Sequence, residues 1–259
     1  MAKKDYIFSN QLSMFGSREI IGFGEPDFYI KEMDKSVSNA MIIKNHYSHK
    51  VAGFATTYIY LGVYIENRLL GTLQFGFSMN PASAKSIVKD TKLDQYLELN
   101  RMWLSDKAPR NSESMAISAS IKFIKGKYPK VKWTQSFADE RCGGFGIVYQ
   151  ACSFCFYGEH TSDFWELDGV VYHNIQMTVA EGTKRYKGEA KKLQENKERA
   201  VKMTLRQFRY IKFLDERWKK KCLLKEKPYP KHYDNSNGFE KTEAGRAFKK
   251  YGRVTENVD

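Results

Sequence analysis

A chain of 259 residues accommodates one large domain or one domain with an appendage. Its 42% hydrophobic and 14% aromatic content supports a sizeable core and excludes disordered, collagenous and disulfide-stapled classes. The charge of +13, from 43 basic and 30 acidic residues, favours a polyanionic partner. No run of ~18 apolar residues occurs and Met1–Asn10 lacks an apolar h-region, so the expectation is a cytoplasmic protein that neither spans nor binds a membrane. The four cysteines are too few and too irregular for a disulfide framework and are read as thiols.

In chain order, Phe28 to Met33 predicts a short strand and Ser36 to Asn45 a helix. A hairpin follows, with strands at Thr57 to Tyr64 and Leu69 to Phe77 and a turn at Glu66-Asn67-Arg68. Tyr96 to Leu104 reads as the next strand. Asn111 or Ser112 then caps a helix with Ile117, Ile121 and Ile124 on one face, stopped by Pro129. A strand at Val131 to Phe137 and a helix at Gly143 to Ala151 follow, and strands at Phe154 to Tyr157, Phe164 to Leu167 and Val170 to Tyr172 complete a mixed α/β sheet. This order defines a domain over 1–182.

The remaining residues, 183–259, are predicted to form a basic helical extension. Between Lys184 and Lys231 stand 18 Lys or Arg and 6 Asp or Glu, a local charge of +12. Val201, Leu205, Phe208, Ile211, Leu214, Trp218 and Cys222 recur at spacings of three and four, which predicts an amphipathic helix. Lys202, Arg206 and Arg209 fall off that stripe and, with Lys219 and Lys220, are the candidate contacts to a DNA backbone; a solvated helix face is the plainer alternative. Beyond Asp234 only Phe239, Phe248 and Tyr251 carry a hydrophobic pattern.

Four polar clusters stand near predicted strand ends, where α/β sheets place ligands. In Asn45-His46-Tyr47-Ser48-His49-Lys50, two histidines three apart can bind a metal, shuttle a proton or simply hydrogen-bond. Strand alternation in Glu98-Leu99-Asn100-Arg101-Met102-Trp103 sets Glu98 and Asn100 opposite Arg101, whose charge needs an internal partner or an anion. Pro109-Arg110-Asn111-Ser112-Glu113-Ser114 opens a helix whose amides can cradle phosphate or merely be capped. In Gln135-Ser136-Phe137-Ala138-Asp139, a strand-end carboxylate precedes Arg141-Cys142-Gly143-Gly144-Phe145-Gly146 and Tyr149, an acid/base or metal arrangement if the glycines are more than a tight turn. Cys152-Ser-Phe-Cys155 lacks the second pair that a structural zinc requires.

Together the strings Asn45-His-Tyr-Ser-His49, Glu98-Leu-Asn-Arg101, Pro109-Arg-Asn-Ser-Glu-Ser114 and Gln135-Ser-Phe-Ala-Asp139 resemble the Mom family of bacteriophage DNA-modification proteins, from about Lys44 to His173. The resemblance implies a GNAT-like acetyltransferase fold. It also implies transfer of an acetamide-type group (carbamoylmethyl, also described as methylcarbamoyl) to adenine N6 in DNA, which then escapes host restriction. It assigns active-site roles to Arg101, Ser114, Asp139 and Tyr149, with His46 and Tyr47 nearby. Iron and acetyl-CoA are its implied cofactors, with His46, Tyr47 and Asp139 as metal ligands. Arg110, Asn111, Ser112 and Ser114 would hold the donor, although the glycine-rich pyrophosphate loop usual in acetyltransferases is absent there. A paired adenine must be flipped out or single-stranded to react, and Trp103, Phe137 and Tyr149 are the candidate stacking residues. Two alternatives share parts of this pattern: an acyltransferase acting on a protein or small amine, and a basic DNA-binding protein without catalysis.

Overall fold

A computed structural model describes residues 21–22, 28–51, 57–140, 144–184, 186–230, 239–241 and 247–249. Arg141, Cys142 and Gly143, the Met1–Asn10 segment, Lys231 and Tyr251 lie outside the described residues. The elements are β1 (Ile21–Gly22), β2 (Phe28–Glu32), α1 (Lys35–Asn45), β3 (Thr57–Ile65), β4 (Arg68–Gly76), α2 (Ala84–Ile87), β5 (Tyr96–Leu104), α3 (Ser112–Lys127), β6 (Trp133–Asp139), α4 (Ile147–Ala151), β7 (Cys155–Leu167), β8 (Val170–His173), α5 (Asn174–Thr178), α6 (Glu189–Glu195) and β9 (Val201–Phe213). A separate pair, β10 (Phe239–Lys241) and β11 (Ala247–Lys249), is antiparallel. The main described sheet has nine strands in the order β1-β2-β3-β4-β5-β6-β9-β7-β8. Its β4 and β5 pair antiparallel and its β5 and β6 parallel, so the mixed α/β expectation holds.

Local chemistry explains the framework. Glu66 and Asn67 adopt positive φ of 50° and 60°, the two-residue geometry that matches the twist of the β3–β4 hairpin. Gly71 of β4 lies so close to β5 that a Cβ there would stand 2.8 Å from the Trp103 carbonyl oxygen. Asp34 caps α1 by accepting from the Ser36 amide at 2.7 Å.

The described residues form two compact units. The first comprises those within Met1–Ser136, Ile147–Tyr157 and Tyr210–Tyr229, and the second those within Phe137–Gly146, Gly158–Arg209 and Pro230–Asp259. In the first, Tyr96 stacks on Trp133 with ring centroids 5.1 Å apart, and both join Ile87, Val88, Ile211 and Phe213 in one buried cluster. The polar tips of both rings are satisfied, Trp133 Nε1 donating to Thr91 Oγ1 at 3.1 Å and the Tyr96 hydroxyl lying 3.1 Å from Ser78 Oγ. In the second, Leu167, Tyr172 and Leu193 make a smaller core.

The basic segment departs from expectation. Val201–Phe213 is a strand rather than an amphipathic helix, and a 3-10 turn at Glu216–Lys221 follows it. Leu205, Phe208, Tyr210, Ile211 and Phe213 are all buried. A strand with neighbours on both sides and cover on both faces buries residues of either parity, so its apolar positions lose the alternation of an edge strand and imitate helical spacing. Among the described residues of this segment, helix is confined to α6 and short 3-10 turns. A second departure is β7, one strand of 13 residues where two short ones are predicted.

Candidate active site

The first unit brings two of the sequence clusters together. Arg101 on β5 donates from Nε to the Lys50 carbonyl at 2.9 Å and from Nη1 to the Asn100 carbonyl at 2.6 Å, so the segment after α1 is fastened to the middle of the sheet. In that segment His46 is buried, and its ring centroid lies 4.2 Å from that of Tyr47 with the planes tilted by 34°. The Ser48 amide donates to His46 Nδ1 at 3.1 Å, which puts the proton of the neutral ring on Nε2.

A β-bulge sits beside Arg101. Gln74 pairs with Arg101 and Phe75 with Leu99, leaving Asn100 as the extra residue. Bulges re-aim side chains, and this one breaks the strict alternation expected along Glu98–Trp103. Asn100 accepts from Thr57 Oγ1 at 2.9 Å and donates to the Phe77 carbonyl at 3.0 Å; Gln135 Nε2 donates to Glu98 at 2.8 Å. Thr57, Asn100, Glu98 and Gln135 thus tie β3, β5 and β6 together. Parallel pairing of β5 with β6 covers Tyr96↔Trp133, Leu97↔Thr134 and Glu98↔Gln135, and both strands continue beyond it.

Sequence reasoning missed Gln74, whose register neighbour is Arg101. Its Nε2 donates to Ser38 Oγ at 2.9 Å and Asn39 Oδ1 at 3.1 Å, while its buried Oε1 has no hydrogen-bond partner among the described residues. Only the pairing register, which a single sequence does not show, identifies it.

The start of α3 is open. Asn111 has left-handed backbone with φ 71° and makes no side-chain capping bond, so neither it nor Ser112 caps the helix as expected. Ser112 Oγ instead donates to the Pro109 carbonyl at 2.7 Å, and Ser114 Oγ to the Asn111 carbonyl at 2.9 Å. The Ser112 amide is itself bonded to the Pro109 carbonyl at 3.2 Å, the turn after it carries no side-chain cap, and Arg110 is exposed next to it. This arrangement fits a pyrophosphate. The Ser114 carbonyl also contacts the buried Cys152 thiol at 3.2 Å, which links this turn to the end of α4; burial raises the Cys152 pKa. Tyr149 of α4 is buried with its ring packed on Tyr210 at 5.4 Å and Phe154 at 5.8 Å.

Asp139, the last residue of β6, belongs to the second unit and is 8% exposed. Beside it in sequence Glu140 is 3% exposed and paired with Arg206, whose guanidinium also lies 5.2 Å from the Phe208 ring. Lys202 pairs with Asp163 at 3.2 Å and Lys219 with Glu226 at 2.7 Å; Arg209 lies over Phe137, and Lys220 is exposed. The described cysteines, Cys152, Cys155 and Cys222, are thiols and not disulfides, in line with the reading of the cysteines. Among the described residues no group of three or more His, Cys, Asp or Glu side chains can hold a metal ion. No helix among them is long and apolar enough to cross a membrane.

A cleft of about 370 Å³ in the first unit is lined by Lys92, Lys130 and Lys132 with Asp94. The Leu214 amide bonds the Lys132 carbonyl at 2.8 Å, and the Lys89 amide bonds the Lys221 carbonyl at 2.9 Å. These backbone bonds join the chain segments that carry Lys89, Lys132 and Lys221.

Comparison with known proteins places these features. A model described as the Mom protein family matches residues 27–231. The chain is 43% identical over 232 residues to a protein of Escherichia phage Mu named methylcarbamoylase mom, covering 88% of this chain and 94% of that one. Among solved structures it is similar to a ribosomal-protein-S5-alanine acetyltransferase from Vibrio fischeri, at 11% identity and a TM-score of 0.44 over 77% of this chain and 98% of that one. It is also similar to a GNAT-family acetyltransferase from Streptococcus pneumoniae, at 10% identity and a TM-score of 0.41 over 72% and 99%.

Proposed function

The chain belongs to the Mom protein family, and from that premise we propose that it is a methylcarbamoylase that adds an acetamide-type group to adenine N6 in DNA, so that the DNA escapes host restriction. The observation that carries this reading is the 43% identity to the phage Mu methylcarbamoylase across nearly the whole of both chains. That kinship favours neither an acyltransferase for proteins or small amines nor a non-catalytic DNA-binding protein.

The adenine amino group is a weak nucleophile because its lone pair is delocalised into the ring. A base must take the proton it loses as the new carbon–nitrogen bond forms, and Asp139 is assigned that role. Arg101, held by the Lys50 and Asn100 carbonyls, orients the donor carbonyl or a phosphate. The open first turn of α3 supports an acyl-CoA-type donor, its pyrophosphate bound by Arg110 and the backbone at Asn111, Ser112 and Ser114. When bound, a donor thioester whose acyl part is already the methylcarbamoyl group would pass it to N6 through its carbonyl carbon, breaking the carbon–sulfur bond and leaving as the CoA thiol. Tyr149 is assigned proton donation, with His46 and Tyr47 assigned a place near the reacting groups. No step is routed through iron, whose ligands the described residues do not assemble.

The DNA backbone is assigned to the lysine face of the first unit. Lys219 and Lys220 stand in a turn joined through Lys221 to Lys89, and the Lys92–Lys132 cleft supplies further cations. Mass spectrometry of nucleosides from cells expressing the protein tests the reading, with Asp139→Asn beside it. An adenosine heavier by the acetamide group in the first sample only is the expected result; unmodified DNA from both, with soluble protein and the other phage factors supplied, overturns it.

A further inference from the structure

The second unit contains a partly exposed cluster of two rings and a guanidinium that the assignments above do not use. Phe137 of β6 is half-buried, the Arg209 guanidinium of β9 lies 4.9 Å from its ring centroid, and the exposed His160 imidazole of β7 meets it edge-on at 5.5 Å and 86°. Three different strands supply these three groups. Aromatic, guanidinium and imidazole surfaces are the ones on which nucleobases stack.

The position of the cluster matters as much as its composition. Successive side chains of a strand alternate between faces, so Phe137 and Asp139 share one face of β6, two residues apart. Two residues of strand rise about 6.6 Å, close to the span of a purine ring system with its exocyclic amine. Tyr149, another aromatic residue that the sequence offers, is committed to packing against Tyr210 and Phe154.

We propose that Phe137, His160 and Arg209 form the platform on which the target adenine stacks once it is out of the helix, with its amino group directed along β6 toward Asp139. The proposal rests on the adenine-modification reading. Burial and the Arg209 charge both lower the His160 pKa, so the imidazole is neutral at pH 7 and can stack or hydrogen-bond without a further charge. Arg209 supplies a cation on the ring face, where a base and its phosphate both gain from it.

The test uses full-length protein and a single-stranded oligonucleotide in which 2-aminopurine replaces one adenine, since stacking quenches its fluorescence. With wild-type protein the probe is expected to be quenched on binding. Phe137→Leu, which keeps an apolar side chain but removes the ring, should lose the quench and bind at least about fivefold more weakly, the lower end of what one base–aromatic stack contributes. His160→Ala alters a surface group, so it remains informative if Phe137→Leu folds poorly, and it should weaken the quench in the same direction. Wild-type quenching and affinity in both variants would overturn the platform, as would equal quenching wherever in the strand the fluorophore stands. Failure of the functional reading shows separately, as the absence of any modified adenosine with wild-type protein.

Discussion

Arg206 is held to Glu140 by three hydrogen bonds, from its backbone amide at 2.8 Å, from Nε at 3.1 Å and from Nη2 at 2.8 Å. The carboxylate is 3% exposed, so the pair is an internal fixture of the second unit and not a cation offered to solvent. Arg206→Met removes the two guanidinium bonds and the opposite charge from the buried Glu140 while keeping the backbone one, which costs about 2–4 kcal/mol; the guanidinium is a third exposed, which keeps the loss below that of a fully enclosed pair. Urea denaturation measures it. The salt dependence of DNA binding supplies the contrast: Arg206→Met should leave its slope unchanged, whereas Lys220→Ala should reduce it by about 0.9 without loss of stability. A reduced slope for Arg206→Met, at temperatures where the variant is folded, would return that residue to the DNA contacts.

Arg101 makes its two bonds to carbonyls with different nitrogens of one planar group, which a lysine cannot reproduce from a single ammonium. Arg101→Lys should therefore lower adenine modification by at least about tenfold, equivalent to ~1.4 kcal/mol of transition-state stabilisation. The strand itself is retained, so the midpoint of thermal unfolding should move little. Modified adenosine at the wild-type level from Arg101→Lys would reduce the residue's role to its charge alone.

His160 links pH to stability with a definite sign. Its folded pKa lies below the ordinary histidine value of 6.5, first through burial and then through the Arg209 charge, so protonation opposes folding. The contribution is fully present above 6.5 and declines as pH falls from there toward the folded pKa. Proton NMR titration of the His160 ring should give a midpoint below 6.5, and Arg209→Met should raise it part of the way back. An unchanged midpoint in Arg209→Met would separate the two side chains electrostatically.

Much of the framework is legible from sequence because its signals are local. The β3–β4 hairpin is marked by its β-branched and aromatic runs around Glu66-Asn67, and α3 by an apolar face ended before Pro129. The boundaries of β5 coincide with prediction, Tyr96 to Leu104. What local pattern does not carry is the neighbourhood. Whether Val201–Phe213 extends or coils depends on its two flanking strands, both distant in sequence, and a strand covered on both faces has no period of its own. The site divides in the same way. Arg101, Ser114 and Asp139 stand out as polar residues within short motifs, whereas Gln74 and the pairs Arg206–Glu140 and Arg209–Phe137 arise only when separate segments meet. The αL backbone at Asn111 is likewise invisible in a string that looks like an ordinary cap.

The strand order carries a consequence for how the chain reaches this structure. Because β9 lies between β6 and β7, the sheet interior is completed by the strand that leaves the ribosome last of the nine. Until then β6 and β7 each lack a neighbour, two unpaired edges that invite association with other nascent chains. Completion is a late, long-range event of the kind that slows folding. A chain interrupted before residue 201 would lose the middle of its sheet, not a dispensable tail, and chaperone dependence during synthesis is where that vulnerability would be felt.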